Sequence, residues 1–423
     1  MKNKLTDYLR FVGNKFGING VSIAKDSFWI VIEKIIVTLS AFVLVVIMSN
    51  SLSPETYGQY KFVLSIFGVI TAFSLTGIGT SITQAVASGQ KNILTSAVKT
   101  HLKWGLIMTF ISIIVSAYYF VMGNFQLCIS MLIISVFAPV VQALPIYNSY
   151  LQGKKFFKES AKISALYNLF PTIILAIISL TTNNFVILIL AFFSSYTIMA
   201  AIFFIKIRKI DKNEGIVETN NINHNSIITY GKHLSLMNIL GGITFNLDKI
   251  LIFHYLGAIQ VATYTIAMAA PKQIRQLNKI LALLSLPRLS KMDPATIKEI
   301  LPRKIFIISI GTILITILYI LLAPFLYNLF FPKYPDAIFY SRLYSLIIMT
   351  LPMVLINQVL ISQFVKKELY ILQTVSPLSK ILFLLILLPK FGIIGAILSI
   401  LFSEIIKNIL LINSYLKIMK SRS

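Results

Sequence analysis

The sequence predicts an all-α integral membrane protein with about twelve transmembrane helices arranged as two six-helix lobes. Three observations indicate this fold class: the apolar composition, the lengths of the apolar blocks and an internal repeat. Hydrophobic residues make up 57% of the 423 residues and charged residues 12%, and the mean hydropathy is +0.83. Because soluble domains carry about 25% charged residues, the bilayer is the expected solvent.

The apolar blocks have the length of membrane-spanning helices. Most contain about 18 to 24 residues, and a helix needs ~20 residues to cross a ~30 Å hydrocarbon layer, whereas a transmembrane β-strand needs only ~10. The predicted spans are residues 28–48, 62–82, 104–121, 127–147, 163–180, 185–205, 234–255, 261–286, 305–326, 343–364, 370–388 and 393–416.

The connections between spans alternate in charge. After the first span, odd-numbered connections such as 49–60, 122–126 and 181–184 contain almost no Lys or Arg, whereas the even-numbered ones are basic. Cytoplasmic loops retain Lys and Arg, so both termini are predicted to be cytoplasmic. The same alternation explains the net charge of +24, because the Lys and Arg residues of the cytoplasmic loops can contact lipid headgroups. Nucleic acid is therefore not an expected partner.

Three short motifs recur at offsets of a little over two hundred residues, about half the chain. Leu52-Ser53-Pro54 with Tyr60 recurs as Leu256-Gly257-Ala258 with Tyr264, Lys158-Glu159 as Lys367-Glu368, and Ile205-Lys206-Ile207-Arg208-Lys209 as Leu416-Lys417-Ile418-Met419-Lys420. Motifs repeated in this order predict two halves in the same orientation, as in transporters built from parallel repeats.

The predicted organisation follows from the repeat and the charge pattern. Residues 1–26 form a cytoplasmic amphipathic segment without the apolar core of a signal peptide. Residues 27–205 form the first lobe, 206–232 a polar cytoplasmic linker, 233–416 the second lobe and 417–423 a cytoplasmic tail.

Enzyme, cofactor and metal signatures are missing from the sequence. Cys128 is the single cysteine, which excludes a disulfide within the chain and a metal site built on several thiolates. The chain has no phosphate-binding Gly-Lys-Ser/Thr loop and no His-Glu-x-x-His helix. We therefore expect neither catalysis nor a bound cofactor or metal.

Charged residues inside spans are the informative ones, because each costs ~2.5–3.5 kcal/mol near the bilayer centre and usually faces a wet cavity. They are Glu33 and Lys34 in the first span, Asp248 and Lys249 in the seventh, Lys272, Arg275 and Lys279 in the eighth, Lys380 in the eleventh, and Glu404 and Lys407 in the twelfth.

The eighth span carries its three cations at i, i+3 and i+7, on one helical face. Pro271 precedes them and should kink the helix, leaving carbonyls to be satisfied in a cavity. The seventh span has its own polar stripe, and the two stripes facing one another would line a cationic lumen. That second stripe consists of Asn238, Gly242, Asn246 and Lys249.

Alternative interpretations exist for several of these charges. The eighth span could end near Ala270, so that its cations only mark the cytoplasmic end. Lys34 could snorkel to the membrane surface, and Glu404 could neutralise Lys407. Lys380 lies about ten residues from either end of its span, beyond easy snorkelling reach.

A series of segments resembles bacterial polysaccharide flippases of the multidrug/oligosaccharidyl-lipid/polysaccharide exporter superfamily, in order along nearly the whole chain. One departure is Ala262, where the family commonly has Gly. The segments are residues 52–60 (LSPETYGQY), 72–78 (AFSLTGI), 246–252 (NLDKILI), 262–267 (ATYTIA), 286–291 (LPRLSK) and 391–396 (FGIIGA).

The resemblance implies a MATE-like fold around a central cavity. It also implies that the protein moves oligosaccharide across the bacterial cytoplasmic membrane by alternating access, with the oligosaccharide linked to an undecaprenyl-pyrophosphate-type lipid. A polysaccharide polymerase and glycosyltransferases are the implied partners. Cationic side chains can replace the hydration of a pyrophosphate. The candidate substrate-binding residues are Lys34, Lys249, Lys272, Arg275, Lys279 and Lys380, and the candidate ion-coupling residues are Glu33 and Asp248.

Two other functions compete with this one. An ion-coupled multidrug exporter of the same superfamily would need acidic and aromatic sites for cationic drugs, yet basic residues outnumber acidic ones within the spans. A membrane-embedded polysaccharide polymerase would need a sizeable external loop with catalytic residues, and the predicted external loops are short.

Overall fold

The computed structural model describes residues 20–90, 93–213, 224–290, 292–363 and 365–421. Every regular element in those ranges is a helix and none of their residues forms a strand, which confirms the all-α prediction. The helices are α1 (Gly20–Ser51), α2 (Pro54–Thr71), α3 (Ile78–Ala87), α4 (Ile93–Val121), α5 (Phe125–Ala143), α6 (Tyr147–Gly153), α7 (Phe157–Thr181), α8 (Phe185–Asn213), α9 (His224–Leu256), α10 (Ala258–Arg275), α11 (Leu277–Leu289), α12 (Pro294–Phe330), α13 (Ala337–Ser345), α14 (Met353–Ser362) and α15 (Lys366–Ser421).

Long helices expose apolar faces that no other part of the described ranges covers. On α4, Leu106, Phe110, Ile113 and Ile114 recur every three to four residues and are all exposed. Eight helices of the described ranges are long and apolar enough to cross a bilayer, or nine if the bent pair formed by 337–350 and 353–362 is one span. The chain is therefore a multi-pass membrane protein, and the number twelve stays a prediction.

The last helical segment, α15, is a hairpin. Its 56 residues would extend about 84 Å as one straight helix, far more than a ~30 Å hydrocarbon layer. Gly392 breaks the segment with φ 57° and ψ −135°, and a Cβ on Gly395 would collide with the backbone at Leu387. The two arms coincide with the predicted spans 370–388 and 393–416.

Like the bent pair at 337–350 and 353–362, the predicted spans 62–82 and 261–286 are each made of two shorter helices. The span predicted at 62–82 is α2 and α3, separated by residues 72–77, which include Ser, Thr and Gly with low helix propensity. Helix α2 begins earlier than predicted, at Pro54, because Ser53 Oγ accepts the amide N–H of Thr56 at 3.2 Å and caps the first turn. The span predicted at 261–286 is α10 and α11, interrupted at Gln276.

The repeated motifs occupy equivalent positions of helices. Pro54 and Ala258 each start a helix, and the tyrosines six residues later, Tyr60 and Tyr264, are both fully buried. The Lys-Glu repeats lie in the first turns of α7 and α15, and the basic repeats lie in the C-terminal parts of α8 and α15. The helical pattern is thus consistent with the predicted repeat.

The chain forms two compact units. The first comprises Met1–Leu44, Phe73–Thr181 and Val186–Asn238, and the second Val45–Ala72, Thr182–Phe185 and Ile239–Ser423. The first has a core built on α3, α4, α6 and α8. The second has one core around Tyr264 and Leu388 and another around Val359 and Leu411. The proposed lobe boundaries at 27–205 and 233–416 stay predictions.

Candidate functional site

The second unit contains an open cavity of about 600 Å³ bordered by α9, α10, α11, α13 and α15. Polar side chains from every one of these helices line it. The charged lining residues are Asp248, Lys272, Arg275, Lys279, Lys380 and Glu404, and the uncharged polar ones are Thr244, Gln276, Asn278, Tyr344, Ser376 and Ser403.

Helix α9 presents Gly241, Thr244, Phe245 and Asp248 to the cavity, at i, i+3, i+4 and i+7. The prediction that its other stripe faces the eighth-span cations is wrong for Gly242 and Asn246. A Cβ on Gly242 would lie 2.8 Å from Ala72 Cβ, and one on Gly68 would lie 2.7 Å from Asn246 Cγ. Small residues let α2 approach this face closely, so the adjacent face of α9 lines the cavity.

Helices α10 and α11 supply Lys272, Arg275 and Lys279, and all three predicted cations line the cavity. The helix continues through Pro271 to Arg275, and the alternative that the membrane span ends near Ala270 stays a prediction. The carbonyl that Pro271 leaves without its helical partner belongs to Ala267. It accepts the Tyr327 hydroxyl at 2.9 Å, so the prediction that a cavity would satisfy this carbonyl is wrong.

Asp248 is the centre of a buried polar network. Its side chain lies 3.7 Å from Lys380 Nζ, and it accepts the Tyr264 hydroxyl at 2.6 Å and the Lys249 amide at 3.0 Å. Lys380 Nζ also donates to the Thr244 carbonyl at 2.7 Å. These contacts fix the carboxylate and tie the first arm of α15 to α9 and α10.

Glu404, on the second arm of α15, bridges two cations. Arg275 forms an ion pair with one of its oxygens, and Lys407 Nζ lies 3.4 Å from the other. The pairing with Lys407 is the alternative considered from sequence, but the arginine across the cavity is a partner that helical spacing does not reveal. Tyr344 lies beside Arg275 and lines the same side of the cavity.

The cavity carries more positive than negative charge. Four cationic and two acidic side chains line it, which leaves an excess of two positive charges. Lys272 and Lys279 form no ion pair with a carboxylate in the part of the chain that the structure describes. Lys272 Nζ instead lies 5.7 Å from the centre of the Phe245 ring. An anion is therefore the ligand that this lining favours.

The remaining predicted residues lie elsewhere. Lys249 is 9% exposed and does not line the cavity, although its Nζ lies 6.0 Å from the Phe245 ring. Glu33 and Lys34 belong to the first unit. Glu33 is buried, accepts the Ser164 hydroxyl at 2.7 Å and lies 3.1 Å from Lys34 Nζ, whose side chain is 63% exposed. Their suggested roles stay predictions.

Several lining residues escaped the sequence analysis. Thr244 and Phe245 share a helical face with Gly241 and with Asp248, which the sequence had singled out, and that periodicity could have revealed them. Tyr344 had no comparable signal, because it approaches the cavity from a separate helix. Among the described residues, no group of three or more His, Cys, Asp or Glu side chains could hold a metal ion.

The chain matches a known family and known folds. A model of the polysaccharide biosynthesis protein family matches residues 23–293. Among solved structures, the chain is similar to the lipid II flippase MurJ in an inward closed conformation, with a TM-score of 0.71 and 15% identity over 90% of this chain and 86% of that one.

It is also similar to a multidrug resistance MATE family transporter of the MOP superfamily in an outward-facing conformation, with a TM-score of 0.66 and 14% identity over 95% of this chain and 96% of that one. At identities this low, the structural similarities show the fold alone. That fold is the MATE-like fold expected from the sequence motifs. No protein with curated annotation matches the sequence significantly.

Proposed function

We propose that this chain, which belongs to the polysaccharide biosynthesis protein family, is a flippase for oligosaccharide repeat units linked to an undecaprenyl-pyrophosphate-type lipid. It moves them across the bacterial cytoplasmic membrane by alternating access, for O-antigen or capsule synthesis. In this proposal twelve helices form two six-helix lobes and both termini are cytoplasmic. Glycosyltransferases would act before the flippase, and a polysaccharide polymerase would act after it.

The observation that carries the proposal is the excess positive charge of the cavity. A pyrophosphate concentrates negative charge that hydrocarbon excludes, and it needs cations or water throughout its passage. Lys272 and Lys279 are free of carboxylate partners among the described residues and can donate to phosphoryl oxygens without first breaking an ion pair. The lipid tail can stay in the bilayer while the headgroup crosses.

The other charged residues take distinct roles in this proposal. Arg275 forms an ion pair with Glu404, and Lys380 forms one with Asp248. Each cation can therefore bind the substrate only by exchanging its carboxylate partner for a phosphoryl group. Lys249 and Lys34 bind the headgroup before or after it occupies the cavity. Asp248 and Glu33 are the groups available for ion coupling.

Removal of the two free cations tests the proposal. The double variant Lys272→Gln with Lys279→Gln should bind the headgroup more than about hundredfold less tightly, because each charge-assisted hydrogen bond contributes about 1.5–3 kcal/mol. In a strain deleted for the native gene, this variant should restore almost no surface polysaccharide, measured by immunoblot of extracted polysaccharide.

The matched control is Lys206→Gln with Lys209→Gln, which removes two exposed lysines of α8. It should restore polysaccharide fully at equal membrane abundance. Normal polysaccharide in cells with the cavity variant would refute the proposal. Resistance to cationic drugs that depends on Asp248 or Glu404 would instead identify a multidrug exporter, although the excess positive charge of the cavity opposes that function.

A further inference from the structure

An aromatic ring is exposed in the cationic cavity. Phe245 of α9 lines the cavity and is 66% exposed, whereas Thr244 and Asp248, which line the cavity from the same helical face, are buried. Ligand sites combine aromatic side chains with a few polar groups. The apolar surface of this ring is therefore available to the apolar part of a ligand.

Open space lies beside the ring. Gly241 also lines the cavity, four residues before Phe245 on the same helical face. Helical side chains lean towards the N-terminus, so the Phe245 side chain leans over the turn that contains Gly241. A Cβ built on Gly241 would meet no atom within 4 Å. The backbone beside the ring is therefore bare, with room for a ligand.

The ring also lies close to a cation that the proposed function assigns to the pyrophosphate. Lys272 Nζ is 5.7 Å from the centre of the Phe245 ring. Lys272 would donate to a phosphoryl oxygen, and the first sugar of the unit is bonded directly to the pyrophosphate. A headgroup held by Lys272 therefore brings this sugar to the ring.

The face of Phe245 suits a sugar better than a phosphate. A pyranose with equatorial hydroxyls directs C–H bonds to both faces of its ring, and their slightly positive hydrogens meet the negative face of an aromatic ring. The same face repels the negative oxygens of a pyrophosphate. Phe245 therefore discriminates between the two parts of the headgroup.

Asn278 of α11 supplies an independent observation. It lines the same cavity, and its buried Oδ1 accepts no hydrogen bond from the residues that the structure describes. A buried acceptor without a donor destabilises a protein, and a ligand that donates a hydrogen bond removes that penalty. An ionised pyrophosphate diester has no proton to donate, whereas a sugar hydroxyl has one. The ligand that Asn278 favours is therefore one with hydroxyl groups.

We propose that Phe245, Gly241 and Asn278 bind the first sugar of the lipid-linked unit, a pyranose with an uninterrupted face of C–H bonds. The sugar stacks on Phe245 in the space beside Gly241, and one of its hydroxyls donates to Asn278 Oδ1. This assignment rests on the proposed function, because a pyrophosphate bound at Lys272 is what places the sugar at the ring.

Two probes of equal charge test this inference on the full chain in lipid nanodiscs. One is a short-chain prenyl pyrophosphate joined to glucose, and the other carries a methyl group in place of the glucose. Isothermal titration calorimetry should show that the natural protein binds the glucose probe more tightly. Phe245→Leu should bind the glucose probe about three- to tenfold less tightly, because it loses the aromatic face, and its affinity for the methyl probe should be nearly unchanged.

Three further variants separate the contacts of the sugar. Phe245→Trp keeps an aromatic face and should keep the preference for the glucose probe. Gly241→Leu puts a side chain into the open space and should abolish that preference. Asn278→Leu should weaken only the glucose probe, and without ligand it should be at least as stable as the natural protein, because it removes a buried acceptor without a donor.

The matched control is Phe325→Leu on α12, which replaces a ring that is 67% exposed and does not line the cavity. It should retain both affinities and unfold in SDS at the same point as Phe245→Leu. Equal binding of the two probes by the natural protein, or an equal loss of both in Phe245→Leu, overturns the inference while the proposed function stands. Binding of neither probe refutes the proposed function, and the sugar assignment with it.

Discussion

The ion pair between Asp248 and Lys380 should contribute measurably to stability. Its two charged groups lie 3.7 Å apart, and their side chains are only 3% and 14% exposed. At an effective dielectric constant of about 20, two unit charges at this distance attract by about 4 kcal/mol. Asp248→Asn keeps an oxygen for the Tyr264 hydroxyl but removes the charge, so it should destabilise the protein by about 3–4 kcal/mol.

A double-mutant cycle with Asp248→Asn and Lys380→Gln isolates this attraction. The free energy of unfolding is measured for the natural protein and the three variants in mixed micelles titrated with SDS. We expect the double variant to lose no more stability than either single variant, because it leaves no unpaired charge. Additive losses would refute the assignment of a stabilising ion pair.

The single variant Asp248→Asn should also bind anions more tightly than the natural protein does. Asp248→Asn raises the excess charge of the cavity from two to three. One unit charge about 6 Å from a phosphate, at an effective dielectric constant of about 40, contributes about 1.4 kcal/mol, so pyrophosphate should bind about tenfold more tightly. Unchanged affinity would mean that the carboxylate does not face the anion.

Two further substitutions test the packing that positions these sites. Gly58→Ala should destabilise the protein by about 1–3 kcal/mol, because its Cβ would collide with the Ala258 backbone where two helices meet. The matched control is Gly311→Ala, whose Cβ would lie in open space. It should change stability by less than about 1 kcal/mol. Tyr327→Phe should lose about 1–3 kcal/mol by leaving the Ala267 carbonyl without its hydroxyl donor. Both losses are measured by SDS unfolding, and unfolding curves that match the natural protein would contradict the packing.

Local periodicity explains which part of the site the sequence could predict. Lys272 and Arg275 share a face of α10, and Lys279 follows on α11 just after the interruption at Gln276. Their spacing was enough to predict that all three line one cavity. The partner of Arg275 could not be found in the same way. Glu404 is 129 residues away, and only the hairpin at Gly392 brings its helix arm to the cavity.

Helix rotation explains the part that the sequence did not predict. Helix α9 carries polar residues on two adjacent faces, and periodicity alone does not decide which face meets a partner helix. Gly242 and Asn246 meet α2 because glycines permit a close approach there, and this turns Asp248 towards Lys380. The start of α2 was placed too late for a local reason, since a capped start at Pro54 moves this helix eight residues earlier than its apolar pattern predicts.

The two ion pairs of the cavity have a consequence for transport. A flippase must release its substrate as well as bind it, and four unpaired cations would hold a pyrophosphate too tightly for rapid release. Asp248 and Glu404 form ion pairs with Lys380 and Arg275. In the proposed function, the two carboxylates would compete with the phosphoryl groups of a bound headgroup for these cations. Each carboxylate can pair with its cation again as the headgroup leaves, so an empty cavity exposes only two uncompensated positive charges. The free-energy cost of the conformational change that returns the empty protein to its starting state is therefore lower than it would be with four unpaired cations.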